Sequence, residues 1–142
     1  MCSNLPKDTT LALLTPKSEI ASSQDSIIGG GQIISFLPGK KLVICPPPII
    51  ESWQDAISDF GVRSATVVSL GKLEHIKKKG YEEYQYIFVD EAHRFRNENT
   101  SQYKLLHEIC FGKKVILITA TPLNNSIYDF FPLIKLLRNI RV

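Results

Sequence analysis

Four short, continuous apolar runs alternate with segments of helical periodicity, and this alternation constrains the fold more than any other feature of the 142-residue chain. The runs lie at 42–45, 65–70, 86–89 and 115–118. Strands that are apolar on both faces are typical of parallel sheets whose two faces are covered by helices. The sequence therefore predicts an α/β fold with a parallel sheet of at least four strands, flanked by helices; the pattern does not give the strand order.

The segments between the runs are predicted to be helical. Apolar residues recur with helical spacing at 49–60, in the basic segment that ends at 77–79, at 103–110 and at 124–137. Thr100 or Ser101 is the expected N-cap of the third of these helices. We therefore expect each strand to be followed by a helix, as parallel pairing requires.

Composition limits the class of protein. The length suits one domain, and 44% apolar with 22% charged residues is ordinary for a globular protein. No apolar run approaches the roughly 20 residues of a membrane-spanning helix. Three scattered cysteines without a C-x-x-C pair argue against a disulfide scaffold or a cysteine-rich metal site and favour an intracellular compartment. The net charge of +3 is compatible with nucleic acid binding but does not by itself indicate it.

Residues 1–40 differ from the rest of the chain. Their first 31 residues are rich in Ser, Thr and Gly, include the triplet Gly29–Gly31, and hold only two basic residues, Lys7 and Lys17. We therefore predict an irregular N-terminal segment at 1–40 and a folded domain at 41–142.

Two adjacent carboxylates, Asp90 and Glu91, follow directly after the third apolar run. Ligands of parallel α/β sheets bind beyond the carboxyl ends of the strands, so this pair is expected at a functional edge. Neighbouring carboxylates repel one another, and a hydrated Mg²⁺ held together with substrate phosphates would supply the counter-charge. The alternative is that both acids only cap the turn or helix that follows the strand.

The acidic pair belongs to a longer string of motifs. Residues 90–93 read D-E-A-H, and the segment T-A-T-P begins at Thr119, after the next predicted strand. This arrangement resembles the first RecA-like lobe of superfamily 2 helicases, and more closely the Swi/Snf-related ATP-dependent DNA translocases. Residues 90–99 resemble motif II, residues 117–125 resemble motif III, and residues 42–48 with Trp53 resemble motif Ia. The resemblance runs from about residue 41 to about residue 137 and implies a RecA-like, P-loop NTPase-type lobe.

The resemblance assigns expected roles in an ATP site. Asp90 would hold Mg²⁺ through water, and Glu91 would activate the hydrolytic water. His93, Thr119 and Thr121 would contact the nucleotide site and link it to the nucleic-acid track. The alternatives stay open: a strand that ends in a proline turn for the threonine segment, and a satisfied polar group near a helix start for His93.

DNA, in double-stranded form, is the implied partner. Pro46, Pro47 and the helix that follows would contact its backbone, because a helix N-terminus offers free N–H groups to phosphate. Arg94 and Arg96, which flank Phe95, suit phosphate and base contacts. The alternatives are a plain strand-to-helix connection with Pro in the first turn, and solvated arginines beside a core phenylalanine.

The chain departs from the family in the phosphate-binding loop. No segment fits G-x-x-x-x-G-K-[ST], the loop that cradles phosphates. Lys40 follows a glycine but precedes Lys41 instead of Ser or Thr. Lys17 precedes a serine, but Pro16 and Leu11 occupy the glycine positions, which makes it a weak candidate.

The second RecA-like lobe of the family is also missing from this sequence. We therefore expect a single truncated lobe, a first-lobe fragment of an ATP-dependent DNA helicase or translocase that uses ATP and Mg²⁺ in the complete enzyme and hydrolyses little or no ATP alone. The expected location is intracellular, either the cytoplasm of a prokaryote or the nucleus. Two alternatives remain: an inactive helicase-like module that binds DNA or protein, and the motor part of a restriction enzyme.

Overall fold

The computed structural model describes residues 23–95 and 97–118, together with Pro132, Lys135 and Leu136. In this part of the chain, helices and strands alternate in the order α1 (Ser23–Phe36), β1 (Lys40–Cys45), α2 (Ile50–Asp59), β2 (Ala65–Ser69), α3 (Leu73–Lys79), β3 (Tyr84–Asp90), α4 (Ser101–Cys110) and β4 (Lys114–Ile118). Short 3₁₀ turns lie at Pro47–Ile49, Leu70–Lys72 and Ala92–Phe95.

The four strands form one parallel sheet in the order β2-β1-β3-β4. This confirms the predicted parallel α/β architecture and supplies the strand order that the sequence left open. The register pairs Cys45 with Ser69 and Asp90 with Ile118, so the last residues of all four strands lie at one edge. Asp90, the first residue of the predicted motif II, lies at that edge.

Helices cover both faces of the sheet. Because alternate residues of a strand point to opposite faces, each strand contributes side chains to both core clusters. On β1, Leu42 and Ile44 pack in the cluster that contains α3 and α4, whereas Val43 and Cys45 pack in the cluster that contains α1 and α2. β2, at the edge of the sheet, is only partly buried, whereas the interiors of β1, β3 and β4 are buried on both sides. This explains why the strands read as continuous apolar runs.

The predicted irregular segment at residues 1–40 is wrong over α1. Ile27 and Ile34 are fully buried against the sheet, and the glycines between them are needed for close packing. A Cβ added at Gly30 would overlap the ring of Trp53, and one at Gly31 would lie 2.9 Å from Cδ2 of Phe60. The glycines therefore let α1 approach α2. The same glycines make the segment look irregular by composition, although it is helical.

The structure tests only some of the other predicted features. Thr100 is the N-cap of α4, as predicted, and its Oγ1 accepts a hydrogen bond of 3.2 Å from the Tyr103 N–H. The helix predicted at 124–137 lies outside the described residues except for three positions, as do residues 1–22. Across the described helices, none has the length and apolar character required to cross a membrane.

Replacing Gly30 with alanine tests the close approach of α1 to α2. We expect Gly30→Ala to lower the free energy of unfolding by about 1–2 kcal/mol, because overpacking against the rigid indole outweighs the gain in helix propensity. Gly71→Ala is the matched control, since nothing lies within 4 Å of a Cβ built there. Urea unfolding measures both. Equal stability of the two variants would contradict this packing.

Candidate functional site

The carboxyl edge of the sheet places Asp90 beside the end of the strand that precedes the predicted threonine motif. Asp90 is the last residue of β3 and pairs with Ile118, the last residue of β4. Thr119 follows Ile118 directly in the sequence but lies outside the described residues. The strand register thus places Asp90 and Ile118, the residue before Thr119 in the sequence, at one edge.

The carboxylate of Asp90 is buried and held by two N–H donors. The residue is 3% exposed. Its Oδ2 accepts a hydrogen bond of 2.8 Å from Nε1 of Trp53, and its Oδ1 accepts one of 2.8 Å from the backbone N–H of Glu91. Hydrogen bonds to a buried charge offset part of the cost of its desolvation and fix its direction. The carboxylate therefore has a defined orientation at the strand end.

Cys45 lies beside this carboxylate at the end of β1. Burial, and then the negative charge of Asp90, raise the pKa of the Cys45 thiol to about 12. The side chain is therefore a neutral thiol throughout the physiological pH range. Since the thiolate is the form that attacks electrophiles and binds metals, Cys45 contributes apolar packing and no reactive group.

Glu91 adopts a backbone conformation that is unusual for a residue with a side chain. Its φ is +58°, in the left-handed region, and its carbonyl accepts a hydrogen bond of 3.0 Å from the Arg94 N–H. A non-glycine residue pays roughly 1–2 kcal/mol for this conformation. Glu91 is half-exposed whereas Asp90 is buried, so the two neighbouring carboxylates have different environments.

A simple capping role does not account for this geometry. The turn Ala92–Phe95 follows Glu91, and Asp90 does accept a backbone N–H at its start. The other carboxylate oxygen, however, bonds to Trp53 on α2, a separate element of the fold. Asp90 therefore connects two parts of the structure in addition to starting the turn.

Several predicted site residues cannot be placed. They are the side chain of His93 and the residues Lys17, Arg96, Thr119 and Thr121, all outside what the structure describes. Their predicted roles stay predictions.

The predicted contact of Pro46, Pro47 and the following helix with the DNA backbone stays a prediction, and the structure describes some of the donors available for it. Prolines 46–48 have no N–H, and the next two N–H groups are already engaged: that of Ile49 with the Pro46 carbonyl and that of Ile50 with the Pro47 carbonyl. Pro46 is buried, whereas Pro47 and its neighbour are exposed. A phosphate contact at the start of α2 would therefore not use the N–H groups of residues 46–50.

The segment after the acidic pair presents a cation at the surface. Arg94 is exposed, whereas Phe95 is 3% exposed and packs in the core cluster of α3 and α4. Phe95 is thus unavailable for stacking on a base, as the alternative interpretation held. Of these two side chains, only that of Arg94 is exposed and could contact a phosphate.

The donor set fits a magnesium ion that arrives with phosphate ligands. No group of three or more His, Cys, Asp and Glu side chains is gathered into a metal site among the residues that the structure places. Asp90 and Glu91 offer hard carboxylate oxygens, and Mg²⁺ is commonly bound by one or two carboxylates with waters and substrate phosphates. Among the described residues, Asp90 and Glu91 are therefore the ones that could hold Mg²⁺ together with waters and substrate phosphates.

Comparison with known proteins identifies the class. The family described as the SNF2-related domain matches residues 58–140, more than half of the chain, and the chain belongs to this family. The SWI2/SNF2 ATPase core of Sulfolobus solfataricus, solved in complex with dsDNA, superimposes with a TM-score of 0.65 at 18% identity, over 94% of this chain and 32% of that one. The fold is therefore the RecA-like fold of the SWI2/SNF2 ATPase core.

Relatives of known sequence agree with this assignment. The ISWI chromatin-remodeling complex ATPase ISW1 of Saccharomyces cerevisiae is 27% identical over 139 residues, covering 79% of this chain and 12% of that protein. An uncharacterized ATP-dependent helicase of Bacillus subtilis, YqhH, is 24% identical over 123 residues, covering 75% of this chain and 22% of that protein. The chain thus spans less than a quarter of the length of these two relatives.

Sequence reasoning missed the hydrogen bond between Trp53 and Asp90. Trp53 is the only tryptophan in the sequence; it belongs to the apolar pattern of 49–60 and to the motif Ia resemblance, and neither predicts this bond. A usable signal was present, because a tryptophan on the apolar face of a helix requires an acceptor for its indole N–H once buried. A strand-end carboxylate is a suitable acceptor.

The left-handed backbone at Glu91 predicts an unusual order of stability. Glu91→Gly and Glu91→Ala both remove the carboxylate, but only glycine adopts a φ of +58° without strain, so we expect Glu91→Gly to be the more stable by about 1 kcal/mol. At Glu74, in the first turn of α3, we expect the reverse order. Thermal and urea unfolding measure both pairs. Glu91→Ala unfolding at higher denaturant than Glu91→Gly would refute the assignment.

Proposed function

We propose that this chain is a lobe of an ATP-driven DNA translocase, in which hydrolysis of ATP by the complete enzyme is coupled to movement on DNA. The observation that carries the proposal is the placement of Asp90 and Glu91 at the carboxyl edge of a parallel sheet, within the segment that matches the SNF2-related domain. The relatives named as ATPases and helicases support ATP as the ligand. The solved core with dsDNA supports DNA as the partner.

The two carboxylates would have different roles at the nucleotide site. Asp90, buried and oriented by two donors, would hold the water ligands of Mg²⁺, which when bound neutralises phosphate charge. Glu91, half-exposed at the turn, is the residue that would accept the proton of the attacking water. The backbone N–H of Glu91 donates to Asp90, so the Cβ of Glu91 lies close to the Asp90 carboxylate. Burial of one acid and exposure of the other suit these different roles.

The remaining parts of the proposal concern contacts beyond the acidic pair. His93, Thr119 and Thr121 would join the nucleotide site to the DNA track, and Arg94 with Arg96 would contact the DNA backbone. The exposure of Arg94 at the site edge supports the last of these. A second RecA-like lobe would close the cleft in the complete enzyme. The proposal includes an intracellular location, in the nucleus or a prokaryotic cytoplasm.

A second candidate is a module that binds DNA or protein without hydrolysing ATP. It is favoured by one observation, the lack of a G-x-x-x-x-G-K-[ST] segment in the sequence, since that loop normally supplies the N–H groups and the lysine that hold the phosphates. In this case the acidic pair would be a remnant of an ancestral ATP site. The two candidates differ in whether nucleotide binding depends on Mg²⁺ and on Asp90.

Isothermal titration of ATP into the chain, with Mg²⁺ or with EDTA, decides between the candidates. The motor lobe predicts Mg²⁺-dependent binding that Asp90→Asn weakens about tenfold or more, because a carboxylate that holds the ion through water loses its charge. Asp59→Asn, an exposed residue at the end of α2, is the matched control and should bind as the wild type does. Circular dichroism confirms that both variants fold.

A DNA-binding measurement gives the result that would reject the motor lobe. Fluorescence anisotropy with a labelled duplex, measured with and without Mg²⁺-ATP, reports whether nucleotide changes DNA affinity. Duplex binding that is the same in the wild type and in Asp90→Asn, combined with no ATP binding under either condition, would reject the motor lobe in favour of the non-hydrolysing module.

A further inference from the structure

The side chain of Trp53 makes a buried hydrogen bond to the carboxylate that the proposed function places at the magnesium site. Nε1 of Trp53 lies 2.8 Å from Oδ2 of Asp90, and the two residues are 0% and 3% exposed. A hydrogen bond to a charged acceptor away from water is stronger than one at the surface, and removing its donor leaves a buried charge less well satisfied. The contact therefore has more effect on Asp90 than an ordinary packing contact.

The indole is itself held in one place. Its ring fills the space above Gly30, where a Cβ would overlap it, and the same position lies 3.4 Å from Cδ1 of Ile118 at the end of β4. Helix α1, helix α2 and the edge of the sheet thus meet at the ring. A donor fixed by packing on several sides directs its acceptor, which is the condition for positioning a ligand group accurately.

Trp53 also connects the carboxylate to a surface at the site edge. It lies in the first turn of α2, which begins at Ile50 directly after the Pro47–Ile49 turn. Pro47 is exposed there. A displacement of the start of α2 would therefore move the donor that orients Asp90.

We propose that Trp53 is a positioning residue: its indole N–H sets the direction of the Asp90 carboxylate and ties that direction to the first turn of α2. The identity of the ligand, Mg²⁺ with a nucleotide, rests on the proposed function, whereas the hydrogen bond is observed in the structure. The residue was not among the predicted site residues, and it acts only through Asp90.

The single indole N–H gives a direct readout. In a ¹⁵N–¹H NMR spectrum of the chain, Trp53 contributes the one indole resonance, and its hydrogen exchange should be slow. Asp90→Leu, which is similar in size but has no acceptor, should speed that exchange about tenfold or more and shift the resonance. Asp59→Leu, at the far end of α2, should leave both unchanged. Unchanged exchange in Asp90→Leu would overturn the proposal, whatever the chain binds.

A second measurement tests positioning with the metal itself. Mg²⁺, titrated alone and with ATP, should move the indole resonance of the wild type, and Trp53→Phe should weaken Mg²⁺ binding about tenfold, the size of effect seen when a group behind a metal ligand is removed. Tyr103→Phe is the matched control, because it deletes another buried aromatic hydrogen bond, from the Tyr103 hydroxyl to the Pro132 carbonyl, in the other core cluster. It should lower stability but leave Mg²⁺ affinity unchanged.

The outcomes separate this inference from the proposed function. Binding of Mg²⁺ that depends on Asp90 but is the same in Trp53→Phe, Tyr103→Phe and the wild type supports the proposed function and overturns the positioning role. Absence of Mg²⁺ binding with and without ATP rejects the proposed function, and the exchange measurement then decides whether Trp53 holds Asp90. Thermal unfolding of each variant shows that the comparison is made on folded protein.

Discussion

A carboxylate buried at the end of a strand is the constraint around which this edge of the protein is organised. Burying the charge of Asp90 is unfavourable unless donors surround it, and two of its donors come from different parts of the chain, the Trp53 side chain and the Glu91 backbone. The first requires α2 to lie close to β3, and the second is made where the chain turns at a left-handed residue. Packing of α2 and the conformation of the turn are thus linked through one side chain.

The close approach of α1 follows from the same arrangement. The indole that reaches Asp90 occupies a position where α1 can have no side chain, and Gly30 meets that requirement. The glycines that made residues 1–40 look irregular are therefore part of the packing around the site. Composition averaged over a segment cannot distinguish a glycine that loosens the chain from one that permits contact, because the difference lies in a neighbour 23 residues away.

How far the sequence predicts this protein depends on whether the relevant interactions are local. The strands and the parallel sheet follow from apolar runs, and the place of Asp90 and Glu91 follows from the end of one run. Strand order depends on pairings between distant segments, and the bond from Trp53 to Asp90 spans 37 residues, so neither has a local pattern. The left-handed turn falls on a glutamate, which carries no signal for it.

The proposed nucleotide site would need one part that binds phosphate and one that holds the metal, and the two would depend on different residues. A glycine-rich loop normally binds the phosphates, and no segment of the given sequence fits that pattern, whereas the Asp90 carboxylate is oriented by Trp53 on α2 and by the backbone of Glu91. The direction of the Asp90 carboxylate therefore does not depend on a phosphate-binding loop, and the acidic pair is evidence about the geometry of this edge before it is evidence about ATP turnover. Affinity for nucleotide and orientation of the Asp90 carboxylate are, for this reason, distinct physical properties.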